Sequence, residues 1–353
     1  MKTLFALTAA ALLLIYPETA LNAALSAAHG WYTSVAPALF PFMTLMPLLT
    51  CPDSIRTWER LLGRLMRPLL NLPGAAAPAI VIALTAGSPA GAHAAVRICS
   101  EARMSRAQLE RLIGCTCGFS PAFLITGVGV SMLGSASDGM LLLRAQILSQ
   151  LTLLFLTRHT RPDLPLPPVP ESTQPEPIRS AVLNVLAVCG YMIVFAVAAA
   201  ILARLLRSPD VGLAALCLLD APSAARSIAS LPLSREVKLL SISAVTASGG
   251  LCAAVQNLAA CKNTGVRPAK YAVSRLLHTL LTTAFTAIQL HKTILSTAFF
   301  ARPMEFSALT AAFLSVPVLI FWKKDPFLNR RNFEKASQKA PQKHEKAQHN
   351  VHN

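Results

Sequence analysis

The stretch Thr85-Ala86-Gly87-Ser88-Pro89-Ala90-Gly91-Ala92-His93 decides how this chain is read. It lies within membrane-grade apolar sequence, yet its glycines, serine and proline end one helix and start another. A second stretch does the same: Gly118-Phe119-Ser120-Pro121-Ala122-Phe123-Leu124-Ile125-Thr126-Gly127-Val128-Gly129. Lipid cannot hydrogen-bond a bare backbone. A helix break at membrane depth therefore survives only where protein or a water-filled cavity covers it. Secondary transporters build midplane binding sites from such breaks, so the two motifs point to a carrier.

The surrounding sequence supports a membrane setting. The chain has 353 residues, 54% hydrophobic and 14% charged, against about 25% charged in a soluble domain. Residues 112–137, 180–203 and 239–261 carry no charge, and each is long enough for a spanning helix of about 20 residues. The fold class is all-α, a polytopic membrane protein.

Spanning helices are expected at about 3–16, 32–51, 112–136, 139–157, 180–203, 239–261, 276–300 and 304–322, about eight in all. The first resembles a signal peptide, but no small-residue cleavage site precedes Pro17-Glu18, so it reads as an uncleaved helix. Residues 75–96 and 211–231 read as re-entrant helical hairpins. Residues 54–67 set Ile55, Leu61, Leu62, Leu65 and Met66 against Arg56, Arg60, Arg64 and Arg67, a basic amphipathic stretch for the interface. Residues 97–111 read as a charged loop. The seven prolines in 158–178 mark a linker between a membrane half at 1–157 and another at 179–322. The basic tail, 323–353, lacks apolar periodicity and reads as disordered.

The net charge of +16 does not imply nucleic acid, because its placement follows membrane topology. With a cytoplasmic N-terminus and both hairpins re-entrant, 24 Lys/Arg fall inside and 5 outside, with Arg144, Arg226 and Lys292 left within membrane segments. That is the positive-inside bias. Helix, hairpin, helix, helix over 32–157 then recurs in the opposite orientation over 180–300, an inverted repeat. Ser88 matches Ser223 in position, and the Ser120-Pro121 break matches Ser248-Gly249-Gly250.

Four breaks are therefore candidates for chemistry: Gly87-Ser88-Pro89-Ala90-Gly91, Phe119-Ser120-Pro121, Asp220-Ala221-Pro222-Ser223-Ala224-Ala225-Arg226 and Ser248-Gly249-Gly250. Each offers a hydroxyl, small residues and a helix N-terminus, whose free N–H groups and roughly half a positive charge favour anions. One such motif alone would be a proline kink or a packing device. Four, symmetrically placed, read as a substrate site of Gly87, Ser88, Pro89, Gly91, His93, Ser120, Pro121, Asp220, Ser223, Arg226, Ser248, Gly249, Gly250 and Gln256. Asp220 and Arg226 are ionisable groups in an apolar segment, either functional or an interfacial pair at a hairpin mouth. His93 is suited to bind an anion or relay a proton. Arg97, one turn on, marks the cytoplasmic boundary. Gln256 is expected to face the cavity. Asn257 bonds a neighbouring helix or joins it there. His278 and His291 read as helix-packing or interfacial residues.

The eight cysteines read as small buried hydrophobes, since Cys115-x-Cys117 lacks zinc-site spacing. No metal, cofactor or catalytic group is expected. The chain has no His-Glu-x-x-His, phosphate loop or Gly-x-Ser-x-Gly. The expected partners are a small anionic substrate and the bilayer.

An ordered set of motifs resembles the sporulation integral membrane protein YlbJ family, which carries the nucleoside-recognition Gate domain. The set is Tyr16-Pro17-Glu18, Leu39-Phe40-Pro41-Phe42-Met43, Gly87-Ser88-Pro89-Ala90-Gly91-Ala92, Ser120-Pro121-Ala122-Phe123 with Gly127 and Gly129, and Ser248-Gly249-Gly250-Leu251 with Gln256. It covers roughly residues 10–320. The family tends to have Gly-Tyr-Pro at Gly87-Ser88-Pro89, lysine at His93, and Glu-Thr-Ser-Gly where this chain has Asp220-Ala221-Pro222-Ser223-Ala224. The resemblance implies a carrier moving dipicolinic acid across the outer forespore membrane. The rival readings are a nucleoside or other metabolite transporter of the Gate type and a non-transporting scaffold for spore assembly.

Overall fold

A computed structural model describes residues 2–160, 166, 177–207 and 209–295, and every regular element among them is helical. Helix α1 (Lys2–Ile15) stops at Tyr16. Helix α2 (Pro17–Leu49) starts with proline in its first turn and Glu18 beside its positive end. It widens to a π-helix at Trp31–Val35. Only 32–51 was expected to be helical here. The alanine-rich run after Pro17 outweighs Glu18, Asn22 and His29 and carries the helix through.

Helix α3 (Pro52–Leu70) ends on left-handed Asn71, and a short turn (Gly74–Ala76) leads into the first broken pair, α4 (Ala77–Thr85) and α5 (Ala90–Glu101). The second pair is α6 (Arg106–Thr116) and the π-helical α7 (Phe123–Met132), followed by the long α8 (Ala136–Leu156). The expected loop at 97–111 is thus mostly helix. Ser105 and Gln108 form a capping box that starts α6, and Glu110 and Arg111 are buried. The expected helix at 112–136 is two pieces with residues 117–120 unwound between them.

The second half also sets two broken pairs between long helices. Long α9 (Pro177–Leu206) precedes α10 (Pro209–Leu219), α11 (Ala221–Ser230), α12 (Arg235–Ser248), α13 (Gly250–Ala260) and long α14 (Pro268–Leu295). Among the described residues, four helices are long and apolar enough to cross a membrane, or five if α3 and the segment after it, bent by 97°, count as one. The breaks shorten the other segments. The span expected at 304–322 and the tail lie outside the described residues, as does most of the linker. Leu166 within the linker is buried, and its N–H donates to the Met104 carbonyl at 2.9 Å.

Two ion-pair clusters give the chain its directions. Asp138, at the start of α8, takes Arg235 at the start of α12. Glu110 in α6 takes Arg267 and Lys270 at the start of α14, at 2.8 and 3.3 Å. The pair α6–α7 therefore runs from the Glu110 end to the Asp138 end, and α12–α13 runs back. Helices α8 and α14 cross between, where Ser149 Oγ donates to the His278 carbonyl at 3.1 Å. Each of those residues lies about eleven positions past Asp138 or Arg267, roughly 16 Å along a helix. That is about half the hydrocarbon thickness of a bilayer. Outward-facing Leu183, Leu186 and Val194 on α9, and Leu276 and Leu280 on α14, are exposed as a lipid-facing surface requires.

Candidate functional site

At that mid-depth the breaks meet in pairs. Ser88 N–H, in the first break, donates to the Gly118 carbonyl of the second at 2.7 Å. A Cβ on Gly87 (φ +76°) would lie 2.6 Å from Ser120 N and 2.8 Å from Gly118 O, so only glycine lets the two strands of backbone touch. The other two breaks touch likewise, with a Cβ on Gly250 falling 3.1 Å from the Leu219 carbonyl and 3.3 Å from Ala221 N. Asn257 links the pairs, its amide donating to Ser88 Oγ and to the Tyr271 hydroxyl, both at 3.0 Å.

The unwound backbone is satisfied by side chains of the long helices, as its apolar surroundings demand. Gln146 on α8 donates to the Phe119 carbonyl at 2.8 Å and accepts from Phe119 N–H at 3.1 Å. Gln150, one turn on, donates to the Thr116 carbonyl at 2.9 Å. Arg275 on α14 is buried and donates to the carbonyls of Cys117 and Ala247, which sit at the ends of α6 and α12. It also contacts buried His278. A guanidinium at two helix C-termini answers their partial negative charge.

All four breaks line one cavity of about 60 Å³. Ser88, Ser120, Asp220 and Gly249 each stand at the start of the second half-helix of their break, and Gln256 joins them. Ser120 accepts from Phe123 N–H at 3.2 Å and so caps its helix. Asp220 caps α11, with Oδ2 accepting from Ser223 N–H at 3.2 Å and from the Ser223 hydroxyl at 2.5 Å. Asp220 is 2% exposed, and its Oδ1 is buried without a partner. Phe119 and Phe123, stacked with centroids 4.7 Å apart, form part of the apolar wall.

The remaining candidates serve the breaks without lining this cavity. Gly87, Pro89, Pro121 and Gly250 shape the backbone around it. Gly91 closes the first hairpin, where a Cβ would lie 2.5 Å from that of Ala83. Its small size serves helix packing. Ser248 returns its hydroxyl to the Val245 carbonyl at 2.8 Å. Ser223 serves Asp220. His93 sits on α5, one turn beyond the break. Arg226 is exposed, with its guanidinium near Gly30, and makes no ion pair with Asp220 among the described residues.

Three important residues escape a reading of the sequence. Arg275 looks like a cytoplasmic boundary charge in 262–275. Gln146 and Gln150 look like incidental polar residues in α8. Their spacing of four, which puts two amides on one face of an apolar helix, is the signal that identifies them.

A larger cavity of about 520 Å³ lies at the Asp138 end, around Ser135, Arg235 and Lys238. It is open, and its charges are engaged, Arg235 by Asp138 and Lys238 by the Ala229 carbonyl at 2.8 Å. The small cavity is the stronger candidate, because residues of all four breaks line it.

No protein-family model matches the chain, and no solved structure matches it. The sporulation integral membrane protein YlbJ of Bacillus subtilis (strain 168) is 32% identical to it over 147 residues, 42% of this chain and 36% of that protein. The match thus spans about a third of the relative's own length. Motifs, apolar helices and alignment agree: this chain is a multi-pass integral membrane protein related to the sporulation protein YlbJ.

Proposed function

We propose that the chain is a membrane carrier for a small organic anion, acting in sporulation, with the central cavity as its substrate site. The observation that carries this reading is the convergence of the four breaks on one cavity. Four helix N-termini, each worth roughly half a positive charge, then face one small volume. Ser88 and Ser120 add hydroxyls, Gln256 an amide, and Phe119 and Phe123 an aromatic wall. In this reading the substrate crosses the membrane unchanged.

The two halves form an inverted repeat in this reading. Support comes from the two broken pairs in each half, the opposite directions of α6–α7 and α12–α13, and the crossing of α8 and α14 at mid-depth. A cavity of about 60 Å³ has room for about two waters. That is less room than a small organic anion needs, so in this reading the hairpins part from their partners to admit a substrate, alternately on each side.

The substrate is dipicolinate, moved across the outer forespore membrane, as the family resemblance implies. A small aromatic dianion matches the site's mix of N-termini, hydroxyls and phenyl rings. The test is the dipicolinate content of spores from the host strain lacking this chain. The content should fall sharply and return with the wild-type chain. Full content without the chain contradicts the proposal.

A further inference from the structure

The geometry points to Asp220 as a proton-binding site that makes the carrier a proton–anion symporter. This rests on the reading of the central cavity as the substrate site. Of the four helix N-termini around that cavity, those of α5 and α13 carry no side-chain cap, and that of α7 is capped by the neutral Ser120 hydroxyl. The fourth is already occupied by a protein carboxylate, since Asp220 caps α11 through Oδ2.

Its other oxygen, Oδ1, is buried with no donor. The charged and titratable groups around it are few. Arg226 on its own helix is exposed and makes no ion pair with Asp220 among the described residues, although its charge still acts on the carboxylate. Cys252 from α13 accepts from Gln256 Nε2 at 3.1 Å. Helix α10 brings Cys217, with Asp210 at its far end, α7 has no titratable residue, and Arg235, Glu236 and Lys238 lie at the far end of α12.

A carboxylate in that position repels a substrate carboxylate in the same small site, and two such groups do not both stay ionised at close range. A proton added to Oδ1 removes the repulsion. It also gives the buried, unpartnered Oδ1 an O–H that can donate to the anion once the site opens around it. A neutral carboxylic acid in an apolar pocket plays that role in other proteins. The proton enters with the substrate and leaves with it, so a proton gradient drives accumulation of the anion. Proton and anion raise each other's affinity by the same factor, as linkage requires.

The experiment is calorimetric titration of the detergent-purified full chain with dipicolinate, in buffers of differing ionisation enthalpy, between pH 6 and 8. Wild type should take up about one proton per dipicolinate bound. Over the range where free Asp220 is ionised, its apparent Kd should rise about tenfold per pH unit, as the competent fraction falls. Whatever affinity Asp220→Asn retains should be independent of pH and take up no proton, and Asp220→Glu should restore proton uptake. Binding by wild type without proton uptake overturns the proposal and leaves the carrier reading intact, and that result needs no variant to fold. Proton uptake persisting in Asp220→Asn overturns it equally. A complete absence of dipicolinate binding removes the carrier reading and this inference together.

Discussion

Ser120 and Ser248 hold matching places in the two halves of the sequence, yet only Ser120 lines the cavity. Its Oγ accepts from Phe123 N–H, which leaves the hydroxyl proton available to a ligand. A hydrogen bond to a charged group contributes about 1.5–3 kcal/mol, so Ser120→Ala should weaken dipicolinate binding about tenfold or more. Ser248→Ala should change it less than about twofold, because that hydroxyl already serves the Val245 carbonyl. Equal losses in equilibrium binding would contradict the site as drawn. Arg275 calls for a different measurement. Replacing it by Met strips donors from the carbonyls of Cys117 and Ala247, at about 1–3 kcal/mol for each buried group left unsatisfied. The melting temperature in detergent should drop by several degrees; an unchanged value would mean that water replaces the guanidinium. Serines and glycines at the breaks were legible in the sequence because few other roles suit them inside apolar helices. Arg275 was not, because a charge near a helix end looks the same whether it faces solvent or turns inward.

At the scale of elements, the breaks depend on close backbone approach. Gly87 and Gly134 both have positive φ, +76° and +69°, but a Cβ at 134 meets nothing within 4 Å. Gly134→Ala should therefore cost only left-handed strain, about 1–2 kcal/mol. Gly87→Ala adds a collision with the backbone of the second break and should sharply reduce the yield of monodisperse protein. Similar yields for both variants would show that the first two breaks do not touch. Glycine, proline and serine announced where helices stop, and the positions of the breaks were read correctly from them. Element ends without such signals were not. Residues 17–31 fall between the two expected helices, and Glu18, Asn22 and His29 interrupt their apolar pattern. Residues 97–111 looked solvated because Glu110 and Arg111 are charged. Both are buried against partners far along the chain, Arg267 for Glu110 and the Leu154 carbonyl for Arg111. Such partners leave no local trace in sequence.

For the whole molecule, the ion pairs and the charge bias of 24 to 5 agree on two ends. Single cysteines at positions 103 and 264 belong to the Glu110 end, and those at 134 and 232 to the Asp138 end. In a cysteine-free background, an impermeant thiol reagent outside intact cells should label only the second pair; labelling of 103 or 264 would reverse the topology. The Glu110 end should also respond to acid. Burial pushes the Glu110 carboxyl up, but hydrogen bonds from Arg267 and Lys270 outweigh this and hold it below its ordinary value. A lowered folded-state value means the stabilisation is present above the ordinary glutamate range, near pH 4.3, and is lost as pH falls through the folded value. Wild type should lose thermal stability below about pH 4 more steeply than Glu110→Gln, and parallel curves would contradict that role. The meeting of the breaks belongs to this scale too. Ser88 and Asn257 are 169 residues apart, and one sequence fixes the order of such motifs but not which of them touch.

The central claim is that the four breaks form one site through which an organic anion crosses the membrane. Counterflow of radiolabelled dipicolinate into proteoliposomes holding the full chain tests it most directly. Preloaded vesicles should accumulate label transiently and saturably, with Ser120→Ala raising the half-saturating concentration about tenfold and Ser248→Ala leaving it nearly unchanged. Accumulation no greater than in protein-free vesicles, with the chain monodisperse and correctly inserted, would contradict the account.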